Sequence, residues 1–379
     1  MNRAEKKWKR RIESTMVGKK IIIAGGGTGG HIFPAIAIAN ALKKLDPSVE
    51  ILFVGAAGRM EMEKVPQAGY PIEGLDIAGF NRSSLIKNIS LPYKLLKSFL
   101  QVRRIFKRFR PDAAIGVGGY SSFPVLQYAQ TSGVATFIHE SNSFAGKSNK
   151  LLGKKATKVF TGTGGMESFF PAHKILVTGN PVRQVIVNST ITKSEGIKFF
   201  SLDENKKTLL AVGGSLGAKS INEAIDKGLE RLIDAGLQLI WQTGKPYAEK
   251  AKARTEGRNA VWANDFISQM EYAYAAADIV VARAGAMTVA ELCMVKKPVL
   301  FVPFPFAAED HQTVNAKRLV NKNAALMISD SEAAEKLVSM AIDLADDEGR
   351  QADLRRNIAG LAIGNADEVI AAEIMKTIR

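Results

Sequence analysis

The sequence contains a single cysteine, Cys293, in 379 residues. An internal disulfide framework is therefore excluded, and the chain suits a reducing compartment. Histidines number four and lie far apart, and the pattern D-x-D occurs nowhere. Neither a His/Cys metal cluster nor the acidic pair that holds a metal–nucleotide complex is expected, so no metal and no cofactor is implied. No uninterrupted apolar run approaches the roughly 20 residues that span a bilayer. The basic N-terminus (Lys6, Lys7, Lys9, Arg10, Arg11) lacks the apolar stretch of a signal peptide. Residues 1–17 read as a basic tail, or as a start placed upstream of Met16. Acids are missing altogether from residues 79–110, which hold nine Lys/Arg.

What is present is the composition of a globular protein, 46% hydrophobic and 23% charged, at a length that favours two domains. The net charge of +15 is local: residues 1–20 carry eight Lys/Arg against two Glu, and this segment and 79–110 account for the whole excess. Such a patch faces nucleic acid, anionic lipid or an acidic substrate. Within 79–110, Leu95, Phe99, Val102, Phe106 and Phe109 follow a 4-3-4-3 spacing that predicts a core-facing helix stripe over 94–109. Ahead of it Leu85, Ile86, Ile89 and Leu91 stand among Arg82, Lys87 and Lys94, a mixture that suits anionic headgroups. A merely solvated basic helix is the competing reading. Nucleic acid is disfavoured, because no nucleic-acid-binding motif accompanies the charge.

Continuous apolar runs at 20–26, 50–55, 113–119, 135–140, 158–162 and 174–179 read as strands of a parallel sheet covered on both faces, with helices such as 34–45 between them. The rhythm restarts at "KKTLLAVGGSLGAKSINEAI" (206–225), an echo of "KKIIIAGGGTGGHIFPAIAI" (19–38). Strands follow at 237–244, 260–266, 278–285, 298–304 and 324–329. The fold class is α/β, with two doubly wound, Rossmann-like domains expected to face each other across a cleft. The expected divisions are a tail 1–17, domains 18–182 and 183–360, and a helix in 361–379 packing back on the first domain.

Gly25, Gly27 and Gly30 satisfy G-x-G-x-x-G, so a dinucleotide site must be weighed. The acid expected at the end of the second strand is absent, however, since that strand ends "FVG". Further glycine turns at 116–124, 213–218 and 283–291 fall on the ligand-binding edge of their sheets, which together favour a phosphate-bearing ligand. In "RAGAMTVAEL" a helix begins near Met287 or Thr288, and Glu291 either holds ribose hydroxyls or complements the helix dipole. His31, directly behind the first glycine turn, reads as an exposed base in preference to a core histidine.

The motifs "GGTGGHIFPAIAIA", "GVGGYSSFP", "IHESNSFAGKSNKLL", "GNPVR", "VGGSLGAKSIN", "RAGAMTVAEL" and "PVLFVPFP…DHQTVNA" occur in this order from about residue 18 to the C-terminus. In this they resemble the MurG family, the peptidoglycan N-acetylglucosaminyltransferases of GT-B architecture. The resemblance implies a hexosyltransferase. It moves N-acetylglucosamine from UDP-N-acetylglucosamine to the C4 hydroxyl of the muramyl residue in lipid I, with inversion, giving lipid II for cell-wall synthesis. It further implies His31 as base. Thr28, Gly29, Gly30 and Asn142 would close over the sugar, and Arg183 and Ser215 would meet the diphosphate. Ile267 would contact uracil through its backbone. Ala286, Met287, Thr288, Val289, Ala290 and Glu291 would cradle phosphate and ribose, and Gln312 would hold sugar hydroxyls. His311, Gly119 and Tyr120 are additional candidates. The implied partners are UDP-N-acetylglucosamine, lipid I, an anionic membrane surface and other cell-wall synthesis proteins, at the cytoplasmic face of the inner membrane as a peripheral protein. Ser141 and His311 depart from the family's usual glutamines. Two other classes stay open: a non-hydrolysing UDP-N-acetylglucosamine epimerase, and a non-catalytic lipid-binding protein.

Overall fold

A computed structural model describes residues 18–78, 91–214 and 216–378. The first strands and helices alternate as β1 (Lys20–Ala24), α1 (Gly29–Leu45), β2 (Glu50–Ala56), α2 (Glu61–Gln67), β3 (Ile72–Leu75), α3 (Leu91–Phe109), β4 (Ala113–Gly116), α4 (Ser122–Thr131), β5 (Ala135–Glu140), α5 (Lys147–Gly153), β6 (Lys158–Thr161) and β7 (Ile175–Val177). Two short helices follow, α6 (Gln184–Val187) and α7 (Lys193–Phe199). Then come β8 (Lys207–Val212), α8 (Lys219–Lys227), α9 (Leu229–Asp234), β9 (Leu237–Gln242), α10 (Lys245–Thr255), β10 (Val261–Asn264), α11 (Met270–Ala276), β11 (Ile279–Ala282), α12 (Ala286–Val295), β12 (Val299–Phe301), α13 (His311–Val320) and β13 (Leu326–Met327). The chain ends with α14 (Ala333–Asp346), α15 (Glu348–Ala359) and α16 (Ala366–Thr377).

These elements form two compact units. One comprises the chain up to Ser141, Ala145–Pro181 and Asn365 onward; the other comprises Asn142–Phe144 and Val182–Gly364. The break falls one residue earlier than the sequence suggests, because Val182 is 4% exposed and sits in the second unit's core. The final return falls at Asn365 instead of 361. The first unit's sheet is parallel, in the order β3-β2-β1-β4-β5-β6-β7; the second's is parallel, in the order β10-β9-β8-β11-β12-β13. Both are doubly wound. Their apolar runs are buried on both faces, so Ile21, Ile22 and Ile23 of β1 are fully inaccessible, as are Leu209, Leu210 and Ala211 of β8. In α16, Ile370, Ala371 and Ile374 are buried in the first unit's core with Ile38 and Leu42 of α1.

The sheet orders fix where ligands bind. The order in which successive strands are added reverses between β1 and β4 in the first unit, and between β8 and β11 in the second, while the strands stay parallel. The crevice outside the carboxyl ends of those strand pairs is the general ligand site of open α/β sheets.

Two sequence expectations need correction. Helix α1 begins at Gly29, not at Pro34, and takes the proline inside. Its first bonds run from the His31 and Ile32 amides to the Thr28 carbonyl at 3.0 and 3.2 Å. In α3 the buried face is Ser98, Val102, Ile105 and Phe106, whereas Leu95, placed in the core by its spacing, is 37% exposed. The helix starts at Leu91, and nothing ahead of Ser98 in it is buried, so Tyr93 and Leu96 stand exposed, as does Leu100 on the same outer face. Arg82, Leu85, Ile86, Lys87 and Ile89 lie outside the described residues.

Candidate active site

At the first unit's reversal point two glycine turns meet, Gly25–Thr28 after β1 and Val117–Ser121 after β4. Gly26 and Gly27 have φ of +151° and +88°, conformations that residues with a Cβ rarely adopt. The sequence assigns these glycines to substrate contact, but Gly25 and Gly26 face inward: a Cβ on Gly25 would strike Val117 and one on Gly26 would strike the carboxyl of Glu61, each within 2.5 Å. The approach of the two turns is equally close. A Cβ on Gly119 would meet the Gly26 carbonyl oxygen, and one on Gly118 would lie 2.6 Å from Nε2 of His31. Packing around an internal carboxylate and a histidine ring thus explains part of the glycine cluster. Gly29 and Gly30 are half-buried at the start of α1, and the nearest atoms to a Cβ there belong to Phe33 and Thr28.

His31 is half-buried. Its Nδ1 lies 3.1 Å from the Gly26 carbonyl oxygen and 3.4 Å from Thr28 Oγ1. A carbonyl only accepts, so this bond places a proton on Nδ1 and leaves Nε2 as the basic nitrogen. The Tyr120 ring lies about 4.0 Å from where a Cβ of Gly27 would stand. Ser122 Oγ donates to the Ala24 and Gly118 carbonyls at 2.8 Å each, tying β1 to the second turn. Nearby His139 is buried, and desolvation lowers its pKa to about 4, so it is neutral at pH 7. Glu140 accepts from the Gly146 amide and from Asn149 Nδ2 at the start of α5.

Glu61 was not singled out in the sequence. It is fully buried at the start of α2, accepting from the Ala56 amide at 2.9 Å and the Gly27 amide at 2.8 Å. Its only sequence signal is its place: a glutamate five residues after the second strand, where a dinucleotide fold carries its acid nearer the strand end.

In the second unit, Gly285 caps α12, which begins at Ala286. Ala286–Ala290 are half-buried along its first turn and a half. Glu291 lies past the first turn, which removes the dipole-complement reading. Its Oε1 accepts from Arg183 Nε at 3.1 Å and Nη2 at 3.0 Å, and its Oε2 accepts from the Tyr274 hydroxyl at 2.9 Å. Burial and the adjacent carboxylate push the Tyr274 phenol well above its ordinary range, so it stays a donor. Tyr274 is a second residue that sequence reasoning missed.

The glycine turn after β8 is braced differently. Gln242, ending β9, donates from Nε2 to the Gly214 carbonyl at 2.9 Å and accepts from the Ile267 amide at 3.0 Å. The Ile267 amide is therefore engaged, and Ser215 lies outside the described residues. Asn142, expected with the first domain, belongs to the second unit. There Asn315 accepts from the Ser143 amide at 3.1 Å and donates to the Ala284 carbonyl at 3.1 Å and to Asn142 Oδ1 at 3.4 Å. Asn315 lies within the quoted "DHQTVNA" but was not picked out. Gln312 accepts from the Phe304 amide at 3.0 Å, which directs its amide group by fixing the carbonyl end. His311 opens α13 directly after Glu309 and Asp310, both at positive φ. No group of three potential metal ligands occurs among the described residues.

Comparison with known proteins matches this geometry to a family. Residues 21–161 match the glycosyltransferase family 28 N-terminal domain and residues 208–369 its C-terminal domain. A relative from Phocaeicola vulgatus is 52% identical over 360 residues, covering 94% of this chain and 96% of its own. It is named "UDP-N-acetylglucosamine--N-acetylmuramyl-(pentapeptide) pyrophosphoryl-undecaprenol N-acetylglucosamine transferase". A relative of the same name from Flavobacterium psychrophilum is 48% identical, covering 95% of this chain and 98% of its own. Among solved structures, Acinetobacter baumannii MurG superposes with a TM-score of 0.75 at 28% identity, covering 94% of this chain and 99% of that one. A UDP-GlcNAc 2-epimerase from Neisseria meningitidis, 15% identical with a TM-score of 0.66, covers 94% of this chain and 100% of that one and shares the fold alone.

Proposed function

The chain belongs to glycosyltransferase family 28, and from that premise we propose the reaction and the part each residue plays in it. The protein transfers N-acetylglucosamine from UDP-N-acetylglucosamine to the C4 hydroxyl of the muramyl residue of undecaprenyl-diphosphoryl-muramoyl-pentapeptide. The observation that carries this reading is His31 at a sheet reversal point, with Nδ1 bound to the Gly26 carbonyl and Nε2 left as its basic nitrogen.

The C4 oxygen attacks the anomeric carbon as Nε2 takes its proton. The bond from that carbon to the UDP oxygen breaks, and its electron pair leaves with the diphosphate. One displacement inverts the centre. The second unit holds the donor: Arg183 and the first amides of α12, with Ser215, meet the developing negative charge. Glu291 accepts from the ribose hydroxyls while Arg183 and Tyr274 fix its plane. Gln312 donates to the sugar, and because the Ile267 amide serves Gln242, uracil meets the Ile267 carbonyl. The first unit's Thr28–Gly30 turn, with Gly119 and Tyr120, covers the reacting sugar and acceptor.

The acceptor is a membrane lipid, whereas no helix among the described residues is long and apolar enough to cross a membrane. Docking falls to α3, where Tyr93, Leu96 and Leu100 are 68%, 63% and 51% exposed beside Lys94, Arg103, Arg104 and Lys107, together with Arg82, Leu85, Ile86, Lys87 and Ile89 ahead of it in the sequence. Each basic residue near an anionic leaflet contributes about 1 kcal/mol, enough in sum for reversible peripheral binding.

UDP release and product analysis, with and without a lipid I analogue, test the proposal. Acceptor-dependent UDP release with a β-1,4-linked disaccharide product is expected. Conversion of the donor to its 2-epimer without acceptor would instead make the protein an epimerase, and vesicle binding without turnover a lipid-binding module.

A further inference from the structure

Glu61 and His31 are bonded to opposite edges of one peptide group. The amide of Gly27 donates to Glu61 Oε2 at 2.8 Å, and the carbonyl of Gly26, in the same peptide plane, accepts from His31 Nδ1 at 3.1 Å. No cis peptide occurs among the described residues, so the N–H and C=O of this unit point in opposite directions and lie between the two side chains. The other carboxylate oxygen accepts from the Ala56 amide at 2.9 Å, and the group is fully buried. The space it fills is reserved by backbone: Cβ atoms on Gly26 or Gly55 would lie 2.2 and 2.5 Å from its atoms.

We propose that Glu61 is a positioning residue for the transfer reaction, acting on His31 through the Gly26–Gly27 peptide. It holds that peptide in the one orientation that presents a carbonyl to Nδ1, and so keeps Nε2 as the proton acceptor. Its charge polarises the peptide, strengthening the bond to Nδ1 as the ring becomes cationic, because hydrogen bonds in a chain reinforce one another in a low-dielectric site. A carboxylate reaching histidine directly is the common form of this support; here a peptide group is interposed. The same carboxylate already occupies the Gly27 amide that a dinucleotide phosphate would take, which accounts for a glycine pattern of that type in a unit assigned to the acceptor.

The proposal rests on the transferase reading, so the test separates the two. In the parent, ¹⁵N spectra of the imidazoles, with the His31 signals identified by their loss in His31→Ala, should show the neutral ring protonated at Nδ1. A ring protonated at Nε2 overturns the proposal. Glu61→Gln keeps one accepting oxygen but turns an NH2 group toward a backbone amide and removes the charge. It should lower kcat on the order of tenfold to a hundredfold, as small misplacements of a reacting group do, with the KM for UDP-N-acetylglucosamine within about twofold. Loss of the negative charge makes imidazolium less favourable, so the acid limb of kcat/KM should move to lower pH by about half a unit or more. Glu61→Asp, which keeps the charge, should leave that limb in place. A Glu61→Gln enzyme with kcat within about threefold of the parent and an unmoved limb, or with its whole defect in KM, would contradict the proposal. If the Gln variant does not fold, the parent spectrum and the Asp profile decide. Failure of the parent to transfer sugar would count against the assigned reaction and leave the spectrum to judge this one.

Discussion

The two units share a plan and differ in what braces the glycine turn at the reversal point. In the first, the brace is an anion: Glu61 takes the Gly27 amide from inside the protein. In the second, it is neutral: Gln242 donates to the Gly214 carbonyl and accepts from Ile267. A carboxylate beneath the turn satisfies an amide and repels an incoming phosphate, whereas a carboxamide adds no charge and leaves the turn fit for a diphosphate. On the proposed mechanism, one architecture thereby supplies a histidine base in one unit and an anion site in the other.

Removing His31 attacks the first half of this contrast most severely. His31→Ala should lower kcat by roughly 10² to 10⁴ while UDP affinity stays within about twofold, as expected for a general base; steady-state kinetics with a soluble lipid I analogue would show it. Activity within about threefold of the parent would move the base elsewhere. Glu291→Ala attacks the second half. It removes charge-assisted bonds worth about 2–3 kcal/mol, so the donor KM should rise roughly 30-fold to 150-fold. It also leaves Arg183 without its buried partner, so the thermal midpoint should fall as well. An unchanged KM would remove Glu291 from the donor site. Tyr274→Phe sharpens that result, because it deletes a single hydrogen bond to the same carboxylate. It should raise the donor KM by about threefold to tenfold, corresponding to about 1 kcal/mol, with kcat little changed. The smallest effect on chemistry concerns α3. Leu96→Ser/Leu100→Ser should reduce flotation with anionic vesicles, as should Lys87→Glu/Lys94→Glu at low salt, while turnover of a short-chain acceptor persists.

Much of this was legible in the sequence. Buried parallel strands announce themselves as continuous apolar runs, so nearly all were placed; β3, "IEGL", was missed because it is short and only Leu75 in it is buried. The motif residues were legible because glycine turns, His31 and Glu291 are local in sequence. Glu61, Tyr274 and Asn315 were not, since each acts on a partner far along the chain: Gly27 is 34 residues from Glu61, and Glu291 is 17 from Tyr274. The α3 stripe misled for a related reason. Spacing reveals which side of a helix is apolar but not how far along its length that side is covered, and Leu95, at the head of the stripe, is apolar without being buried.

The contrast between the two turns is tested most directly by calorimetric titration of UDP into the parent, Glu61→Gln and Gln242→Glu. The account predicts one UDP per chain. Glu61→Gln should leave its affinity within about twofold. Gln242→Glu, which loses the bond to Gly214 and sets a carboxylate beside the diphosphate, should weaken it about tenfold or more, a cost of about 1.4 kcal/mol or above. A second UDP site, or affinity that falls with Glu61→Gln and survives Gln242→Glu, would contradict it.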